Sequence, residues 1–145
     1  MNLKDYSPTI RLALLSLIIC GLLFPLAVTG IAQLLFPNQA NGSIVKLKGH
    51  DVGSNLIAQN FTSPMFFHPR NDSASDVDPD ITVQDAYSQI PRISSATGIS
   101  TNNLTSMVDQ NTERTMWIAG YEYVNVLNLN LLLIKEYPQN YTQFG

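Results

Sequence analysis

The chain has 145 residues, 45% of them apolar and only 13% charged, with eight basic and eleven acidic side chains for a formal net charge of −3. That length fits one modest domain, and the charged fraction is about half the roughly 25% usual for soluble domains. The slight acidic balance excludes the basic footprint of a nucleic-acid binder, and the charge-free run between Arg11 and Lys46 excludes a wholly soluble protein.

Residues 1–11 read as a short N-terminus carrying Lys4 and Arg11. From Leu12 to Phe36 the sequence LALLSLIICGLLFPLAVTGIAQLLF runs 25 residues with no ionisable side chain except the thiol of Cys20. As a helix it would extend about 37 Å, enough to cross a hydrocarbon core of about 30 Å. A cleaved signal peptide is the alternative, with Ala40-Asn41-Gly42 as a loose cleavage site. Its apolar stretch would be about 7–15 residues, and this one is far longer. Pro25 sits mid-span, where it deletes a backbone hydrogen bond and should kink the helix. A lone anchor has little use for a kink and a Gln, so Pro25, Thr29, Gln33 and Phe36 are candidate contacts with partner helices. Basic residues flank both ends, with Lys46 and Lys48 after the span. A short N-terminus before a larger domain nevertheless favours a cytoplasmic N-terminus and an extracytoplasmic C-terminal domain. Five Asn-x-Ser/Thr sequons, at Asn41, Asn60, Asn71, Asn103 and Asn140, all follow the span.

Residues 37–137 read as a small mixed α+β domain, and 138–145 as a loose tail. Beyond the span the balance is −4, from six basic and ten acidic side chains. Residues 37–42 are a turn-rich exit from the membrane. Ser43–Lys48 and Val52–Gln59, separated by Gly49-His50-Asp51, form a hairpin. The aromatic stretch Phe61–Phe67 is interrupted by Pro64 and reads as irregular or edge structure. Asp78-Pro79 is the expected cap and first residue of a helix whose Ile81, Tyr87, Ile90 and Ile93 share a face. Pro91 breaks or kinks it, and Gly98 closes it. Ser100 or Thr101 caps a second helix with Leu104, Met107 and Val108 inward. Val124-Asn125-Val126 is a short strand, and Leu127–Tyr137 a helix that stops at Pro138.

Motifs for chemistry are scarce. The sequence contains no P-loop, dinucleotide fingerprint, nucleophile elbow or zinc-protease pattern. His50 and His68 lack neighbouring ligand patterns, so each reads as a surface or hydrogen-bonding residue. Asp76, Asp78 and Asp80 start like a calcium loop, but Ile81 stands where Gly is needed and Tyr87 where Glu is needed. Glu113 and Arg114 read as a surface pair. The sole cysteine, Cys20, lies in the span, leaving the domain without disulfide or thiol metal site. No catalytic residue and no metal site is expected.

Several stretches together resemble the C subunit of the Kdp potassium-transporting P-type ATPase. Phe24 through Ser43 looks like that family's span and exit signature. There follow, in the family's order, Gly53-Ser54 with Leu56-Ile57, Phe66-Phe67-His68-Pro69-Arg70, Asp78-Pro79, Gln89-Ile90-Pro91-Arg92-Ile93, Gly98-Ile99, Val124 through Leu127, and Leu129-Asn130. Two departures stand out. The family's longer Ser/Gly/Asn-rich segment is shrunk here to Asn71–Val77, and its His-Thr-Glu motif appears as Asn111-Thr112-Glu113, which removes any role for imidazole protonation.

The resemblance implies a single transmembrane helix with an extracytoplasmic α+β domain. It implies a non-catalytic accessory subunit in the cell membrane, assembling a channel-like potassium-translocating subunit and a catalytic P-type ATPase subunit. ATP is the one cofactor it suggests, through a proposed effect on ATP affinity. Arg70, Arg92, Glu113, Asn125 and Asn130 are the motif residues carried over, and Phe61, Phe66 and Phe67 are candidate contacts docking the domain on its partner. A membrane-anchored solute-binding module is the alternative, and a membrane-anchored hydrolase a weaker one.

Overall fold

The computed structural model describes residues 7–70, 78–115 and 120–142. The chain divides into two compact units, Met1–Ser43 and Ile44–Gly145. Lys4, the sequon at Asn71, Asp76 and the segment 71–77 lie outside the described residues.

The first unit is one long helix. α1 (Ser7–Ile18) passes through a π turn (Ile19–Leu23) into α2 (Phe24–Leu35), and none of these residues is buried. The 29-residue apolar helix Ser7–Leu35 is long enough to cross a membrane. It starts before Leu12 because Ser7 and Pro8 suit a first turn, where a missing N–H costs nothing. At Pro25 the ring would collide with the carbonyl one α-turn back, on Gly21. The disturbance expected there takes the form of a widened turn just upstream, in which the Phe24 N–H reaches Ile19 O while Leu23 and Phe24 keep right-handed helical backbone. The helix ends as Phe36 turns to φ −134°, ψ 56°, and α3 (Pro37–Ala40) adds one further turn. The Asn41 and Gln33 carboxamides then donate to one another at 3.2 and 3.3 Å, closing the exit against the last turn of the span.

In the second unit β1 (Ile44–Leu47) and β2 (His50–Ser54) form an antiparallel hairpin. The turn is shorter than the sequence suggested. Lys48 and Gly49, with φ of 51° and 87°, make a two-residue connection of the kind that matches strand twist. Val45 pairs with Gly53 but Lys46 with Asp51, so Val52 is an extra residue at a bulge. The second strand stops at Ser54, whose Oγ accepts the Leu56 N–H and turns the chain away from the ladder.

A three-stranded antiparallel sheet in the order β3–β5–β4 forms the rest of the framework. β3 is Asp80–Thr82, β4 Glu113–Arg114 and β5 Glu122–Asn125. Asp78-Pro79 does not begin a helix. The Asp78 carboxylate instead accepts the Asp80 N–H, Ile81 pairs with Val124, and α4 (Val83–Thr97) begins after Thr82, whose Oγ1 accepts the Asp85 N–H. Pro91 sits inside α4 without ending it, and Gly98 closes the helix at φ 76°. α5 (Thr101–Gln110) is capped by Ser100 and buries Leu104, Met107 and Val108, as expected. α6 (Val126–Glu136) starts one residue early because Asn125 caps it by accepting the Asn128 N–H.

The core lies where α4, α5 and α6 meet the sheet, with Ile81, Ile90, Ile93, Leu104, Val124, Leu129 and Leu133 among its buried members. Two expectations change here. Phe66 and Phe67, 3% and 0% exposed, are core residues of the domain rather than an outward docking face. The tail is not loose through residue 142, because Tyr141 is fully buried and stacks on Phe66 at 5.1 Å between ring centroids. An aromatic ring of that size gains more from burial than a short chain end loses in entropy.

Candidate functional site

The stretch 61–69 lies in neither sheet; the Phe61 and Phe66 N–H groups turn back to the Gln59 and Ser63 carbonyls, and much of the remaining backbone is satisfied by side chains. Three helix-borne residues do this. From α6, Asn130 Oδ1 accepts the Phe67 N–H at 2.8 Å and its Nδ2 donates to Phe67 O at 2.9 Å. From α4, Gln89 repeats the arrangement one residue on, accepting the His68 N–H at 2.8 Å and donating to His68 O at 3.1 Å. Each carboxamide thus presents a donor and an acceptor to one residue, as a strand neighbour would.

Arg92 is three residues beyond Gln89, on the same face of α4. Its guanidinium donates to Pro64 O at 2.7 Å, Phe66 O at 3.0 Å and Gln89 Oε1 at 2.8 Å. Burial pushes the Arg92 guanidinium down from its ordinary value, yet its fork holds three oxygens in a geometry no ammonium could match. The Tyr141 hydroxyl donates to Met65 O at 2.8 Å, and burial pushes its ionisation up to about 12. His68 Nε2 lies 2.8 Å from Ser63 O, which can only accept, so that nitrogen carries the proton. The approach of Arg92 Nη1 to the same nitrogen at 3.4 Å is then a contact between two donors, not a bond.

A second knot joins the hairpin end to the sheet. Asn125 Nδ2 donates to Asn55 O at 3.1 Å and to Asp80 Oδ1 at 2.9 Å, while its Oδ1 caps α6. Burial raises Asp80 above the usual carboxylate range against the lowering effect of the Asn125 bond, and Asp78 and Glu113 add to the rise. Glu113 is exposed and accepts the Tyr123 hydroxyl at 3.0 Å. Arg114 pairs with Glu122 across the strands rather than with Glu113.

Arg92, Asn130 and Asn125 of the motif residues are therefore internal fasteners, and Glu113 and Arg70 are at the surface. Arg70 borders an open cleft of about 500 Å³ with His68, Gln84 and Asp85. Of the partner-contact candidates, Thr29 and Phe36 are exposed on the span and Pro25 follows the π turn. Gln33 is paired with Asn41, and Phe61 is half-buried against the core. Another cleft of about 510 Å³, lined by Leu47, Ile134, Pro138 and Tyr141, is open to solvent. Among the described residues no three His, Cys, Asp or Glu side chains group closely enough to hold a metal ion. Gln89 and Tyr141 are the members of the clamp that sequence reasoning did not single out. The i, i+3 spacing of Gln89 and Arg92 was the available signal for the first.

Comparison with known proteins covers the clamp residues as far as Asn130. The sequence model of the KdpC family, described as the K+-transporting ATPase, c chain, matches residues 6–73 and 71–135. The two stretches meet at 71–73, where the shortened segment begins. A potassium-transporting ATPase KdpC subunit 2 of Staphylococcus aureus is 31% identical, over 88% of this chain and 96% of its own length. KdpC subunits of Caldanaerobacter subterraneus and Geobacter sulfurreducens are 32% and 31% identical, over 92% and 90% of this chain and 96% and 97% of theirs. The 180 aligned positions of the first exceed the 145 residues of this sequence, so the relative carries sequence that has no counterpart in it. With a membrane-length helix, a small α+β domain and this match over most of its length, the chain belongs to the KdpC family, the c chain of the K+-transporting ATPase.

Proposed function

We propose that the chain is a non-catalytic accessory subunit of a potassium-uptake complex, holding together a channel-like subunit and a P-type ATPase subunit. The observation that carries this is the helix Ser7–Leu35, long enough to span a membrane with no residue buried, joined to a domain whose motif side chains fasten its own backbone. Residues 1–11 stay in the cytoplasm, and the domain that begins after the span lies outside, as the short N-terminus and the sequons favour. Thr29 and Phe36 pack on a partner helix, with Pro25 shaping that face. The domain's acidic excess enriches potassium near the outer mouth of the channel-like subunit only within the roughly 8–10 Å set by salt screening. Any effect on ATP affinity runs from the outer domain through partner helices that have two states, not through direct contact.

The test is affinity purification of the tagged full chain from gently solubilised membranes of cells grown at low potassium. A channel-like chain and a P-type ATPase should co-purify with potassium-stimulated ATP hydrolysis, and Thr29→Leu with Phe36→Ala should lower their recovery. Recovery of this chain alone, under conditions that preserve other membrane complexes, refutes the assembly reading. Unchanged recovery with the double variant refutes the contact face. A small molecule retained by the lone chain would favour the solute-binding reading instead.

A further inference from the structure

We propose that the main-chain carbonyl of Cys20, near the middle of the span, accepts a hydrogen bond from a hydroxyl- or carboxamide-bearing side chain on a neighbouring transmembrane helix. The inference rests on the assembly reading above and adds the chemistry of one contact. In a helix, the carbonyl of residue n takes the N–H of n+4 in the α register or n+5 in the π register. For Cys20 these are Phe24 and Pro25. The Phe24 N–H is committed to Ile19 O, and proline has no N–H to give. Leu23 and Phe24, one turn on, carry no hydroxyl that could fold back to the carbonyl. The π turn that relieves the proline collision therefore leaves the Cys20 carbonyl without a donor from its own helix.

Where that acceptor lies makes it consequential. Cys20 is about 20 Å along the helix axis from either end of Ser7–Leu35, at the depth where no water compensates. An unpaired carbonyl in such a medium is strongly disfavoured. The donor must be a side chain, because a neighbouring helix uses its own backbone N–H groups internally. A charged donor at mid-bilayer would add its own large cost, which leaves a hydroxyl or carboxamide. Access is open beside it. A Cβ added at the adjacent Gly21 would meet only the Leu17 side chain, at 3.6 Å, so a second helix can come close to the main chain.

Cys20 is the only cysteine in the sequence, so feeding [1-13C]cysteine labels a single carbonyl of the full chain. Labelled chain is placed in lipid vesicles alone, or assembled with unlabelled partner subunits, and the labelled amide band is read by infrared spectroscopy. The expected result is a move to lower frequency on assembly. Pro25→Ala, which restores the missing N–H, should show the low-frequency band in the lone chain with no further move on assembly. Recovery of the complex with an unmoved band overturns the inference, as does a low-frequency band already present in the lone wild-type chain, which would mean water or an internal donor. Failure to form any complex refutes the assembly reading, and this contact with it.

Discussion

Removing the Asn130 carboxamide should be among the most damaging single changes in the domain. Asn130 is 1% exposed and Phe67 0%, so water cannot replace either bond when the amide is lost. Asn130→Leu keeps the branching at Cγ but strands the Phe67 N–H and carbonyl, at about 1–3 kcal/mol for each buried group, or roughly 4 kcal/mol together. Small domains hold only about 5–15 kcal/mol in all, so a large share of the stability would go. Asn130→Asp separates the two bonds. Its carboxylate still accepts the Phe67 N–H but sets a negative charge against Phe67 O, whereas the protonated acid regains a donor there. The folded state therefore raises that carboxyl above its unfolded value, and the lost stability returns as pH falls through the raised value. Urea titration of the full chain in detergent, followed by circular dichroism, measures the loss, and hydrogen exchange at the Phe67 and His68 amides localises it. A cost below about 1 kcal/mol for Asn130→Leu would refute the clamp, since that is the scale of an ordinary exposed hydrogen bond. So would a pH-independent Asn130→Asp.

Two further changes test the same loop from other sides. Arg92→Lys keeps the charge but can meet only part of the set Pro64 O, Phe66 O and Gln89 Oε1, and should cost about 1–2 kcal/mol, read as a lower urea midpoint and faster proteolytic cutting near Pro64. Equal stability of the two proteins would show that charge, not the fork, matters. Tyr141→Phe should cost about 1 kcal/mol by orphaning Met65 O. It should also change the alkaline limb. Because the folded state holds the Tyr141 proton up to about 12 while an unfolded tyrosine releases it near 10, the wild-type domain loses stability as pH rises from 10 through 12. The phenylalanine variant should lose less over that window, and identical alkaline unfolding would refute the assignment.

The elements most legible in the sequence were those governed by local chemistry. A 25-residue charge-free run can do little in water but leave it, and so the span is marked by composition and length alone. Ser100 before an i, i+3, i+4 apolar set, and Gly98 after α4, named helix ends that the structure kept. Asp78-Pro79 misled because a good local cap signal lost to pairing of Ile81 with Val124, forty-three residues away. Pro91, expected to break or kink the segment, does not end α4, whose Ile90 and Ile93 are buried on either side of it.

The sequence by itself determined that this chain enters a membrane, carries a modest α+β domain and shares its family's motifs. The tertiary structure alone decided what those motifs do. Phe67 meets Asn130 sixty-three positions away and Met65 meets Tyr141 seventy-six away. A bond between one loop's backbone and a distant side chain leaves no periodicity to read. It exists because burying Phe66 and Phe67 drags their peptide groups out of water, and only the folded chain can bring Asn130, Gln89, Arg92 and Tyr141 to meet them.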